Sequence, residues 1–112
     1  MKNIESEKSK ILIVVELIEY IANSVVIKTI LKKTTGNLSV VSFGTGEFMS
    51  EKISPFDSFI QIIDGNAEVV IEDKPFLLNT GESIIIPAHA RSSMKADHQF
   101  KMISTVITSG HA

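Results

Sequence analysis

From Ser24 onward, short apolar runs alternate with turn residues. SVVIKTILKK, LSVVSF, FIQIID and AEVVIE are followed by PFLL, SIIIPA, ARSSMKA and FKMISTVI. The runs are rich in β-branched and aromatic residues, which pack well on a pleated, half-buried surface. Between them TTGN, GTGE, DGN, EDKP, NTGE and KADH supply the Gly, Asn, Asp and Pro that tight turns require. Asp64-Gly65 is the sharpest hairpin signal, because both central positions of the favoured turn need positive φ. Many short strands at regular spacing predict an all-β barrel or sandwich.

The first residues pattern differently. MKNIESEKSK, residues 1–10, is polar and predicts a flexible N-terminus. In ILIVVELIEYIA, Val14, Leu17, Ile18 and Ile21 follow the i, i+3, i+4, i+7 spacing of a helix face. Its β-branched content pulls toward a strand. The reading is a strand at about 11–14 and a short helix at about 15–21. This N-terminal segment, 11–23, precedes a barrel over 24–112.

Composition narrows the function classes. The chain has 112 residues, 44% hydrophobic and 21% charged, which suits one compact, ordered domain. The formal net charge is -2 and no basic cluster appears, so nucleic acid is not an expected partner. There is no cysteine, which excludes disulfides, thiolate metal sites and a cysteine nucleophile. ILIVV at 11–15 is too short for a membrane span, and Glu16 and Glu19 interrupt it before a signal-peptide core can form. A cytoplasmic protein without a membrane partner is expected.

The glycines carry a spacing of their own. Five residues separate Gly46 from Lys52, one separates Lys52 from Ser54, three lead to Ser58, and six lead to Gly65. After a further 15 residues comes Gly81, then five residues to Pro87, with His89, Ser92 and Ala96 at fixed steps beyond. This frame resembles the two motifs of the cupin superfamily, small β-barrels of the jelly-roll type. Gly46, Gly65, Gly81 and Pro87 match its skeleton, and SPFDSFIQIIDGNAEVVIE, TGESIIIPA and FKMIST look like small single-domain bacterial cupins. The resemblance covers roughly residues 36–108. It implies a cupin-like jelly-roll β-barrel, here with a short N-terminal helical segment.

It also implies metal ligands at four positions, and the residue types there disagree. Lys52 and Ser54 stand where the family has two histidines, Ser58 where it has a glutamate, and Ser92 where it has the last histidine. A lysine ammonium has three donors and no lone pair, and serine hydroxyls are weak neutral ligands. Zinc, iron and nickel sites want imidazole, carboxylate or thiolate. No metal and no other cofactor is therefore expected. Glu51 and Asp57 each neighbour one of these positions, and a bulge or register slip would turn either inward. His89 and His98 offer imidazoles from the second motif's side, but His89 takes the place of a turn glycine and His98 lies in the KADHQF turn, so both are read as loop residues.

Lys52 has three readings. It is a lysine at the open end reaching water along its stem, a fixed cation for a carboxylate or phosphate with Ser54, Ser58 and Ser92 as hydroxyl partners, or a buried base or Schiff-base nucleophile. No serine sits in a nucleophile elbow, and FGTGEF lacks the third glycine of a dinucleotide loop. The expected function is a non-enzymatic barrel that binds a small polar or anionic molecule at Lys52, Ser54, Ser58 and Ser92, or a structural dimer. The alternative is a metal-dependent cupin enzyme of oxygenase or isomerase type with unorthodox ligands. Phe59, Ile60, Ile62 and Ile63 give one strand two apolar faces, as Ile84, Ile85 and Ile86 do another. The outer faces need cover, which predicts a homodimer. Met49, Met94 and Met102 are expected to fill gaps in the lumen.

Overall fold

The computed structural model describes residues 5–108. Nine strands follow one another: β1 Val25–Lys33, β2 Gly36–Phe43, β3 Phe48–Ile53, β4 Ser58–Asp64, β5 Asn66–Ile71, β6 Lys74–Asn79, β7 Ser83–Ile86, β8 Arg91–Lys95 and β9 Phe100–Ile107. They form two sheets, β1-β2-β9-β4-β7 and β3-β8-β5-β6. Every neighbouring pair is antiparallel. The sheets enclose a core in which Phe43 and Phe100 are fully buried, their rings stacked with centroids 4.5 Å apart. Ile62 and Val69 complete this closed end.

Alternation decides which side chains point inward. On β4, Ile60 and Ile62 are buried in the core, while Phe59 on the opposite face is 40% exposed. On β7 Ile86 is buried and Ile85 is 62% exposed. β3 was not legible as an element, because FMSEKI has almost no buried positions to mark a period.

The hairpin expected at Asp64-Gly65 is a crossover instead. β4 and β5 belong to different sheets, so the chain passes from one to the other at this point. Gly65 has φ +83, and a Cβ there would lie 2.8 Å from the Gln99 carbonyl oxygen, so glycine is required for space as well as conformation. Two-residue hairpins lie instead at Thr34-Thr35, joining β1 to β2, and at Glu72-Asp73, joining β5 to β6 with φ +50 and +66. Arg91 secures the second, with Nη2 3.2 Å from the Glu72 carboxylate and 2.9 Å from that of Asp73. The Arg91 hydrogen bonds hold the Glu72 carboxyl below the usual carboxylate range.

The N-terminal segment differs from expectation. The strand read at 11–14 is absent, and the helix shrinks to one 3-10 turn at Val14–Glu16. The segment lies across the outer face of the five-stranded sheet, held by side-chain packing and by side-chain hydrogen bonds to its backbone. Ile18 is buried against Ile30 and Val40, with Val14, Leu17 and Ile63 packed around them. Ser42 Oγ donates to the Glu19 carbonyl at 2.9 Å, and Lys101 Nζ donates to that of Val15 at 2.7 Å. The Tyr20 hydroxyl donates to the Asp64 carboxylate. Of the expected flexible residues 1–10, 1–4 lie outside the described residues, and the Ser6 N–H donates to the Ile30 carbonyl at 3.0 Å.

Candidate functional site

A cavity of about 220 Å³ opens between the sheets, and Lys52, Ser54, Ser58 and Ser92 all line it. They do not share one strand. β3 ends at Ile53, Ser54 follows it, and Ser58 starts β4 after the bend at 55–56. The Ser54 hydroxyl accepts the Phe56 N–H at 3.1 Å, and the Ser54 carbonyl accepts the His89 N–H at 2.6 Å. The bend returns Ser58 to the same cavity from the facing sheet.

A β-bulge delivers Lys52. Met49 pairs with Met94 and Lys52 pairs with Ser92, so three steps along β3 match two along β8. The extra residue shifts the face by one position. Met49 and Lys52, an odd number of residues apart, therefore both reach the cavity. Glu51 is turned outward, its carboxylate 3.8 Å from the Arg91 guanidinium. Lys52 is exposed while Ser92 is only 4% exposed, which sets the ammonium at the mouth above a buried hydroxyl.

The other residues weighed as rescuers of a metal site point elsewhere. The Asp57 carboxylate accepts the Ala88 N–H at 2.7 Å. His89 is exposed with φ +71, as a residue in a glycine's turn position should be. His98 is exposed in the turn before β9. None of Glu51, Asp57, His89 and His98 lines the cavity. Among the described residues no three His, Asp or Glu side chains are grouped to hold a metal ion.

Several lining residues were missed. Asn37, Ser39 and Ser104 add an amide and two hydroxyls. Their signal was the two-residue alternation Asn37, Ser39, Val41, Phe43 on β2 and Phe100, Met102, Ser104 on β9, which puts the polar members on the core face. The three methionines expected in the lumen are there.

A conserved protein of unknown function from Streptococcus pyogenes superposes with TM-score 0.89 at 22% identity, over 99% of this chain and 98% of that one. A cupin superfamily protein from Desulfitobacterium hafniense gives TM-score 0.86 at 23% identity, over 96% and 98%. The fold is a cupin barrel. A cupin 2 conserved barrel domain protein from Leptotrichia buccalis gives TM-score 0.80 at 26% identity, over 83% of this chain and 45% of that one. No family model and no curated protein matches the sequence.

The cupin frame implies a metal at Lys52, Ser54, Ser58 and Ser92, and the donor set does not fit one. An ammonium and three hydroxyls offer no imidazole, carboxylate or thiolate. They do fit an acceptor-rich group: the ammonium supplies charge, and hydroxyls orient their protons toward it. No helix among the described residues is long and apolar enough to cross a membrane.

Proposed function

We propose that this cupin barrel binds a small polar or anionic molecule at its mouth, with Lys52 as the cation and Ser54, Ser58 and Ser92 as hydroxyl partners, and without a transition metal. The observation that carries this reading is the convergence of these four side chains, from β3, β4, β8 and the bend, on one cavity. Lys52 makes no ion pair among the described residues, so its charge is available to a ligand.

The reading is non-enzymatic: no lining side chain is a carboxylate or imidazole placed to move a proton. It is also cytoplasmic and homodimeric. The outer sheet face supports the dimer, because Phe59 and Ile85 are cross-strand partners that both remain exposed beside the N-terminal cover.

Thermal unfolding with small anions tests the binding reading. Acetate at ten times its Kd stabilises a single site by about 1.4 kcal/mol, a rise of several °C for a domain of this size. Lys52→Ala should fold normally and lose that rise. A wild-type protein whose midpoint responds to no carboxylate or phosphate would contradict the reading.

A further inference from the structure

The cavity lining is sorted along the barrel. The rung nearest the mouth runs Asn37, Val106, Ser58, Ile86 across the five-stranded sheet, and the next places Ser39 beside Ser104. One rung deeper, Val41, Met102 and Ile62 are neighbours. The facing sheet repeats the order, with Lys52 and Ser92 paired above Met49 and Met94. Polar groups are thus confined to the outer half of the cavity, interleaved there with Val106, Ile86 and Ile60, and the inner half is apolar. About 7 Å of strand separates Ser92 from Met94 and Ser104 from Met102, the reach of a short alkyl chain.

We propose that the ligand is a small amphipathic monocarboxylate, bound with its carboxylate at Lys52 and the serines and its alkyl or aryl body against Met49, Met94 and Met102. The proposal rests on the anion-site reading and adds the ligand's chemical class and orientation.

Charge selects the head group. Lys52 is the single charged side chain among the lining residues. One ammonium balances one negative charge, whereas a phosphate monoester carries about 1.5 to 2 at neutral pH. Phosphates are commonly met by arginine forks or helix N-termini, and the lining holds neither. An amine would meet the ammonium as a like charge.

The inner half selects the body. Three of the chain's four methionines converge there. Thioethers are polarizable and adapt to irregular apolar shapes. A sugar would bury hydroxyls against methionine, valine and isoleucine, with no partner to replace water. The cavity is also smaller than the roughly 300–1,000 Å³ that drug-sized ligands occupy, which favours a compact acid.

Calorimetric titration of the full chain with acetate, butanoate and hexanoate tests this, alongside hexan-1-ol, hexylamine and hexyl phosphate. Affinity should rise about fourfold per added methylene. Hexanoate should bind at least tenfold more tightly than the other six-carbon compounds, and Lys52→Ala should remove that preference. With carbon-13 methyl-labelled methionine, hexanoate should shift the Met49, Met94 and Met102 resonances, and acetate should not. Met49→Ser, at a half-buried position, should flatten the chain-length series while the preference for an anion stays.

If acetate and hexanoate bind equally and the methionine signals stay still, the proposal is overturned and the anion site stands. If hexyl phosphate binds more tightly than hexanoate, the carboxylate assignment is wrong. If hexan-1-ol matches hexanoate, or nothing binds to the folded protein, the anion-site reading fails as well.

Discussion

Lys52 and Ser92 are direct cross-strand partners on β3 and β8, at the resumption of register after a bulge. That pairing carries the account of the site. Without the extra residue, Lys52 would lie on the face opposite Met49. With it, a cation, a buried hydroxyl and two thioethers share one wall of the cavity. The bulge also turns Glu51 out to Arg91, which keeps a carboxylate away from the mouth.

If these positions occupy the ligand places of a cupin, histidines should create what the native residues do not offer. The triple variant Lys52→His, Ser54→His, Ser92→His is expected to bind one equivalent of zinc, since three imidazoles and a water complete a tetrahedral site. Elemental analysis after dialysis checks this. A folded triple variant with no gain in zinc would mean the three positions do not converge closely enough.

Tyr20 reports on the N-terminal cover. Burial first, then the hydrogen bond and negative charge of Asp64, hold its phenol well above the usual tyrosine range. The folded-state value is the raised one. The interaction therefore contributes stability below the ordinary tyrosine pKa of about 10, and that contribution is lost as pH rises through the folded value. Tyr20 is the chain's one tyrosine and there is no tryptophan, so phenolate absorbance follows this group alone. Its ionisation should be delayed in the native protein and return toward the ordinary range in Asp64→Asn. An ordinary titration in the wild type would show that the segment is not clamped as described.

His89 should behave as a turn residue. Its φ of +71 favours glycine, and a non-glycine residue in that region stores about 1–3 kcal/mol. Glycine also has a more flexible unfolded state, which offsets part of the gain. His89→Gly is expected to be neutral or to raise stability by up to about 1 kcal/mol, with anion binding unchanged. Denaturant unfolding measures the first and calorimetry the second. A large loss of ligand affinity would instead make His89 part of the site.

The outer face makes its own prediction. Ile85, 62% exposed, pairs with Phe59. Ile85→Asp should leave the fold intact and shift sedimentation from dimer to monomer. Identical sedimentation of the two proteins would exclude a dimer formed through this face.

Much of the barrel was legible because its strands bury one face. Runs such as FIQIID and FKMISTVI announce themselves through apolar density. β3 did not, since its positions are nearly all exposed or half-buried. The site's four candidate residues came from the family frame that the glycine spacing resembles, while the path that brings them together was not read from the sequence. A local bulge and a bend set it; the bend carries a turn signal in Ser54-Pro55, but the bulge has no strong residue signature. Asp64-Gly65 was misread for a related reason. Its turn chemistry is real, but which sheet the next strand joins is a tertiary choice. Glu72-Asp73, with less distinctive residues, makes a tight hairpin that Arg91 from β8 holds.

Lys52, Ser54, Ser58 and Ser92 are proposed to form an anion site and not a transition-metal site. Elemental analysis of the purified, chelator-free wild-type protein, read against its native mass, tests it most directly. The account predicts well under one tenth of an equivalent of iron, zinc, nickel and manganese, as expected for a donor set without imidazole, carboxylate or thiolate. One full equivalent of any of them, lost on Lys52→Ala or Ser92→Ala, would contradict it.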